Sequence, residues 1–165
     1  MRMSVLKPIS AALGLALLTT GCATGGGVKR DVAYVARDVN SLYSAARLRL
    51  DQNRYREAAQ LFDEVERQHP YSVWARRAQL MSAFSYYLAR EYTESISSAQ
   101  RFLAVHPGNK DSPYAYYLIA LDYYEQISDV TRDQKITQQA LDSLGELIRR
   151  YPDTSYAADA RLKID

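Results

Sequence analysis

The chain repeats itself at a fixed interval of 37 residues. Ala46, Ala83 and Ala120 stand 37 residues apart, and around them Tyr55 recurs as Tyr92, Glu57 as Glu94, and His69-Pro70 as His106-Pro107. Leu50 is answered by Tyr87 and then by Tyr124. An echo of this period, in a sequence rich in Ala, Leu, Gln, Glu and Arg, predicts an all-α solenoid of stacked antiparallel helix pairs. One pair cannot bury its apolar face alone and covers it with the next pair. Such arrays present extended surfaces that hold partners.

The apolar spacing sets the hairpins. Helix A of the first unit carries Leu42, Ala45, Ala46 and Leu50, and Asp51-Gln52-Asn53 breaks it. Helix B then aligns Ala58, Phe62 and Val65 on one face until Pro70 stops it, since proline cannot continue a helix. The second unit, from Ser72 to Pro107, follows the same plan with Ala83, Tyr86 and Tyr87, then Tyr92, Ile96, Ala99 and Phe102. In the third, helix A is predicted over 113–127, with Pro113 suited to a first helical turn.

This pattern resembles the tetratricopeptide repeat. Its small helix-A residue is present as Ala46, Ala83 and Ala120, and its mid-repeat aromatic as Tyr55 and Tyr92. Its helix-B alanine is present as Ala58 and Ala140, with Ser95 as a departure between them, and its closing proline as Pro70, Pro107 and Pro152. Small residues let two helices cross closely while larger ones fill the space between units.

Two irregularities interrupt the echo. Ala58 and Ala140 are 82 residues apart, eight more than two periods, and the surplus falls in the polar segment 127–137, ISDVTRDQKIT. Insertions in repeat arrays map to one face, so this segment reads as a surface loop or as a partner contact, with Asp129, Arg132 and Asp133 as its candidate residues. Beyond it, Ala75, Ala78 and Leu80 recur 82 residues later as Ala157, Ala160 and Leu162. A fourth unit is therefore expected to have begun, with residues 39–165 forming a repeat domain truncated from a longer protein.

The N-terminus reads as an export signal, residues 1–21. Arg2 and Lys7 give a short positive region, 9–18 is a mostly apolar run too short to span a bilayer as a mature helix, and Thr19-Thr20-Gly21 leads to Cys22, the only cysteine. A lone thiol in an exported chain has no disulfide partner. The segment resembles a bacterial lipoprotein signal, which implies acylation of Cys22. Ala23 after the cysteine, rather than Asp, points to the outer membrane. Residues 22–38, with Thr24-Gly25-Gly26-Gly27, read as a lipid-anchored flexible linker.

Composition excludes more than it assigns. The formal charge of +2 is supplied by Arg2 and Lys7, so from Cys22 onward 19 basic residues balance 19 acidic ones, without the basic stripe of a nucleic-acid binder. His69 and His106 share one repeat position and read as part of the repeat rather than as a metal pair. Gly108-Asn109-Lys110 does not fit a phosphate loop. Asp63, Glu64 and Glu66 read as helix-surface charges with Arg67 nearby. No catalytic constellation, metal site or cofactor site is expected, and the chain does not read as an enzyme.

Fourteen tyrosines, against one Trp and three Phe, are the compositional oddity. In tetratricopeptide repeats helix A lines the concave face. That resemblance implies groove positions at Asn40, Tyr43, Arg47 and Leu50 in the first unit, and at Arg77, Leu80, Phe84 and Tyr87 in the second. In the third they fall at Tyr114, Tyr117, Leu121 and Tyr124. Tyrosine offers rigid contact area with a polar tip, which suits a peptide-holding surface. Tyr86, Tyr92 and Tyr123 read as core or seam residues instead.

From Leu42 to Asp165 the chain resembles the BamD family (also called ComL or YfiO), tetratricopeptide-repeat lipoproteins of the outer-membrane β-barrel assembly machinery. The resemblance is carried by YAYYLIALDYY at 114–124, DVTRDQ at 129–134 and RYPDTSYA at 150–157. The lengthened third unit is its specific part. It implies a non-catalytic protein on the periplasmic face of the outer membrane. Its implied partners are the POTRA domains of the barrel-forming subunit, accessory lipoproteins, and the C-terminal signals of unfolded barrel proteins. A barrel strand alternates apolar and polar residues and is rich in aromatics, so an aromatic groove is a sensible receptor. The family's POTRA contact lies mainly in later repeats. Two readings compete: another periplasmic repeat lipoprotein, a pilotin or a cell-wall coordination factor, and a hydrolase of envelope polymers, which would need a buried acid or nucleophile that the sequence does not offer.

Overall fold

The computed structural model describes residues 37–127 and 134–165. Among these residues lie seven α-helices and no strand: α1 (Val39–Asp51), α2 (Tyr55–Gln68), α3 (Val73–Leu88), α4 (Tyr92–Val105), α5 (Ser112–Glu125), α6 (Gln134–Arg150) and α7 (Ser155–Ile164). Cys22, nearly all of the linker, and the loop residues Asp129, Arg132 and Asp133 lie outside the described residues.

Local chemistry sets the helix ends. Asp38 caps α1 by accepting the Ser41 N–H at 2.9 Å, Ser72 caps α3 through the Ala75 N–H at 3.0 Å, and Thr154 caps α7 through the Ala157 N–H at 3.2 Å. In α5, Pro113 occupies the first turn. Helices α2 and α4 start without a side-chain cap, after tight turns in which Asn53 and Arg90 both take φ of 60°. These two residues are also 37 apart, so the repeat extends to a left-handed backbone position that Asn tolerates better than Arg. His69 and His106 end α2 and α4, their backbone N–H groups donating to Val65 and Phe102 carbonyls.

The core is built at the predicted positions. Ala46, Ala83 and Ala120 are completely buried, as are Ala58, Phe62, Val65, Ala99 and Phe102. Three apolar clusters follow one another along the chain, and each joins a hairpin to helix A of the next unit. The first gathers Leu42, Phe62 and Ala78; the second Phe102, Leu118 and Ile119; the third Ala120, Leu144 and Ala160. Ser95, the departure from the helix-B alanine, is buried, and its hydroxyl donates to the Ala83 carbonyl at 2.9 Å. The substitution is tolerated because the small polar group finds an acceptor there.

Part of the surplus length is helical. Three residues, 89–91, separate α3 from α4, whereas eight, 126–133, separate α5 from α6. The remaining three surplus residues lengthen helix B, from 14 residues in α4 to 17 in α6. Helix α5 correspondingly ends at Glu125 rather than at 127. In α7, Ala157 and Ala160 are buried like Ala75 and Ala78, but Leu162 is 77% exposed. Its counterpart Leu80 packs on the second cluster, and no following unit lies beyond α7 among the described residues.

Candidate peptide-binding groove

Successive odd helices touch: α1 with α3, α3 with α5, α5 with α7. Among the described residues no even helix brings its backbone close to that of the next even helix, and α2 reaches α4 only through side chains. The odd helices therefore form the tighter, inner layer of the stack, and they carry every groove position expected from the sequence.

Those positions fall into two kinds. Arg47 and Arg77 are exposed and make no ion pair among the described residues; the Arg77 guanidinium lies 5.8 Å from the centroid of the Trp74 ring. Tyr124 is also exposed at 37%, and the Lys163 ammonium sits 5.1 Å from its ring centroid. Tyr43, Phe84, Tyr87, Tyr114 and Tyr117 are half-buried, and each spends part of its ring on a neighbouring helix. Leu121 is buried.

The half-buried rings link units. Tyr43 of α1 meets Trp74 of α3 at 4.6 Å and Phe62 of α2 at 5.3 Å, centroid to centroid. Phe84 of α3 meets Tyr114 of α5 at 6.4 Å; Tyr114 and Tyr117 then flank Tyr156 of α7 at 5.6 and 5.1 Å. Tyr117 also donates its hydroxyl to Asp159 of α7 at 2.6 Å. Desolvation by burial raises the phenol pKa of Tyr87, Tyr114 and Tyr117, and in Tyr117 the Asp159 hydrogen bond adds to it. All three hydroxyls are neutral donors at any physiological pH. The layer thus offers fixed aromatic faces edged by cations, an arrangement suited to apolar side chains and a carboxylate.

Trp74, Tyr156, Asp159 and Lys163 complete this layer and were not singled out by the sequence. The signal was there for two of them: Trp74 and Tyr156 are 82 residues apart, the offset that pairs Ala75 with Ala157. A second omission is Asp122 on α5. It is fully buried, and neither carboxylate oxygen has a hydrogen-bond partner. Burial pushes its pKa from an ordinary 3.8 up to about 7, while the nearby Ser95 hydroxyl works in the opposite direction.

Asp63 has partners that the sequence did not show. Its carboxylate, a third exposed, accepts the Ser82 hydroxyl at 2.6 Å and the Tyr86 hydroxyl at 2.9 Å, with Arg101 at 3.4 Å. It thereby joins α2, α3 and α4. Glu66 belongs to the same seam, accepting from the Gln79 amide at 2.6 Å, whereas Glu64 does pair with Arg67 along its own helix. Tyr86 is accordingly a seam residue; Tyr92 stacks near Tyr87, and Tyr123 packs on the second cluster.

Among the described residues no group of three or more His, Cys, Asp or Glu is placed to hold a metal ion, and no helix is long and apolar enough to cross a membrane.

Fold and inner layer together define an all-α repeat scaffold. Residues 35–165 match the YfiO family, described as outer membrane lipoprotein, and the chain belongs to that family. It is 49% identical over 155 residues to a Caulobacter vibrioides protein named outer membrane protein assembly factor BamD, a match covering 94% of this chain and 50% of that protein. It is 39% identical to the Rickettsia prowazekii protein of the same name, over 99% of this chain and 63% of the relative. The Neisseria meningitidis serogroup A relative, again so named, is 31% identical over 96% of this chain and 64% of its own length. The chain therefore spans about half to two thirds of the length of these relatives.

Proposed function

We propose that the chain is a non-catalytic scaffold of the outer-membrane β-barrel assembly machinery, anchored to the periplasmic face of the outer membrane through acyl groups on Cys22. The relatives named as assembly factors and the family's description as outer membrane lipoprotein support the setting. Three acyl chains, at ~0.8 kcal/mol per buried methylene, would hold such a protein at the bilayer almost irreversibly.

The observation that carries the mechanism is the aromatic inner layer. Tyr43, Phe84, Tyr87, Tyr114, Tyr117 and Tyr124 offer ring faces on rigid helices, and Arg47 and Arg77 stand among them without carboxylate partners. A C-terminal strand of an unfolded barrel protein supplies what this surface lacks: alternate aromatic side chains and a terminal carboxylate. The helices hold their geometry without the peptide, so little ordering cost falls on the protein side. The partner subunits proposed are the barrel-forming subunit, through its POTRA domains, and accessory lipoproteins. The 126–133 loop, with Asp129, Arg132 and Asp133, is proposed as one of the contacts.

Affinity purification of the tagged chain from membranes tests this setting. Recovery of the barrel-forming assembly subunit is the expected result. Recovery of a pilus secretin or cell-wall synthases without it would assign the chain to a different periplasmic repeat lipoprotein.

A further inference from the structure

Three of the large apolar side chains left most open to solvent surround one cleft. Tyr71 is 101% exposed, Val73 69% and Val105 60%, and all three line a cleft of about 460 Å³ where α2 ends, α3 begins and α4 ends. The helix ends here carry Pro70 and His106 as well, and Arg76 borders the cleft without an ion pair among the described residues. The neighbouring acid, Glu66, is already engaged by Gln79 and Arg101. None of these apolar residues belongs to the inner-layer groove.

The N-terminal segment enters the fold beside this cleft. The Arg37 backbone N–H donates to the Gln68 side chain at 2.8 Å, and the His69 ring nitrogen lies 2.6 Å from the Arg37 carbonyl. His69 is two residues from Tyr71. At ~3.5 Å per residue, Cys22 is never farther than roughly 50 Å along the chain from this edge.

We propose that Tyr71, Val73 and Val105 form a lipid-contact edge that rests on the phospholipid surface to which the chain is tethered. The proposal rests on the reading that Cys22 is acylated. Three side chains are too few for a stable protein interface, which buries about 800 Å² per partner. They suffice against a membrane when a covalent anchor supplies a high effective concentration. Tyrosine, apolar in body and polar at its tip, suits the headgroup boundary, and Arg76 suits the phosphates. Contact at this edge would fix the orientation of the solenoid over the bilayer and leave its inner layer open to the periplasm.

Site-directed spin labelling tests it on the full, membrane-purified chain in phosphatidylethanolamine–phosphatidylglycerol vesicles. Nitroxides would be placed by Tyr71→Cys, Val105→Cys and, as a control on α1, Leu48→Cys, which is 51% exposed. The expected result is that labels at 71 and 105 become accessible to oxygen and lose most of their accessibility to an aqueous nickel chelate, while the label at 48 stays aqueous. Combining Tyr71→Ser and Val73→Ser should return the label at 105 to water. Vesicle flotation reads the anchor separately. A chain that floats with aqueous labels at 71 and 105 overturns the lipid-contact edge and leaves the lipoprotein reading intact; a chain that does not float overturns both. Labels shielded from both reagents would mean a protein contact, such as a second copy, and would also overturn it.

Discussion

The Tyr117 hydroxyl donates to the Asp159 carboxylate at 2.6 Å, tying α5 to α7. The same carboxylate lies 3.5 Å from the Lys163 ammonium, which in turn sits over the Tyr124 ring. Two expected groove tyrosines are thus coupled through one short network on the fourth unit.

Tyr117→Phe removes this hydrogen bond while keeping the ring against Tyr156. A charge-assisted bond of this kind contributes about 1–3 kcal/mol, so urea unfolding should show a loss in that range. Asp159→Asn should cost less in the Tyr117→Phe background than alone, since the two substitutions remove the same interaction. Additive losses would show that the pair does not interact. Tyr117→Ala should cost more than Phe, because the ring fills the space between α5 and α7. Tests of peptide binding at this position are therefore best made with Phe.

Asp122 should make the fold less stable as pH rises. Its folded pKa of about 7 lies above the ordinary 3.8. The protonated form is the one the buried site accepts, so its contribution is fully present below about pH 3.8 and is lost as pH climbs to about 7. The groups that interact electrostatically with this carboxyl, Tyr87 of α3, Ser95 of α4 and Tyr114 of α5, carry no positive charge to offset ionisation. One repeat earlier the equivalent residue is Ser85, whose hydroxyl donates to the Met81 carbonyl of its own helix. Asp122→Ser should adopt that solution. The expected outcome is a gain on the order of 1–3 kcal/mol above pH 7, and a flatter stability profile between pH 4 and 7. An unchanged pH profile would show that the carboxyl is solvated in solution.

Asp63 should matter more than its charge suggests. Asp63→Ala leaves the Ser82 and Tyr86 hydroxyls without an acceptor between α2 and α3, a loss of about 1–3 kcal/mol. Arg101→Ala removes two partly exposed ion pairs at 3.4 Å, to Asp63 and Glu66, and should cost under about 1 kcal/mol. Chemical denaturation of the two variants gives the comparison, and equal losses would contradict it.

What the sequence revealed follows from how solenoids are built. Each unit contacts its neighbours alone, so local periodicity carries the fold: Ala46, Ala83 and Ala120 are buried where the period places them, and even the left-handed turns recur at Asn53 and Arg90. The partners of polar groups were not legible. Asp63 meets Ser82, Tyr86 and Arg101 across three helices, and its repeat equivalent is Gln100, so nothing in the echo marks it. Tyr117 and Asp159 are 42 residues apart and meet only because the lengthened third unit sets the register of α7. The groove lies between these cases. Its candidate positions are those the tetratricopeptide resemblance implies, and how much of each ring is left for a ligand depends on Trp74 and Tyr156 from the adjoining units.

The most direct measurement is a fluorescence titration of the purified chain with a labelled peptide that alternates aromatic and polar residues and ends in a free carboxylate. Arg47→Ala, Arg77→Ala and Tyr124→Ala leave the buried core untouched and should leave the fold intact by circular dichroism. Combining them is expected to weaken binding at least ~10-fold, a change of about 1.4 kcal/mol, and amidating the peptide's C-terminus is expected to weaken binding to the unmodified chain in the same direction. Affinity unchanged by both the substitutions and the amidation would contradict the assignment of the inner layer as the receptor surface.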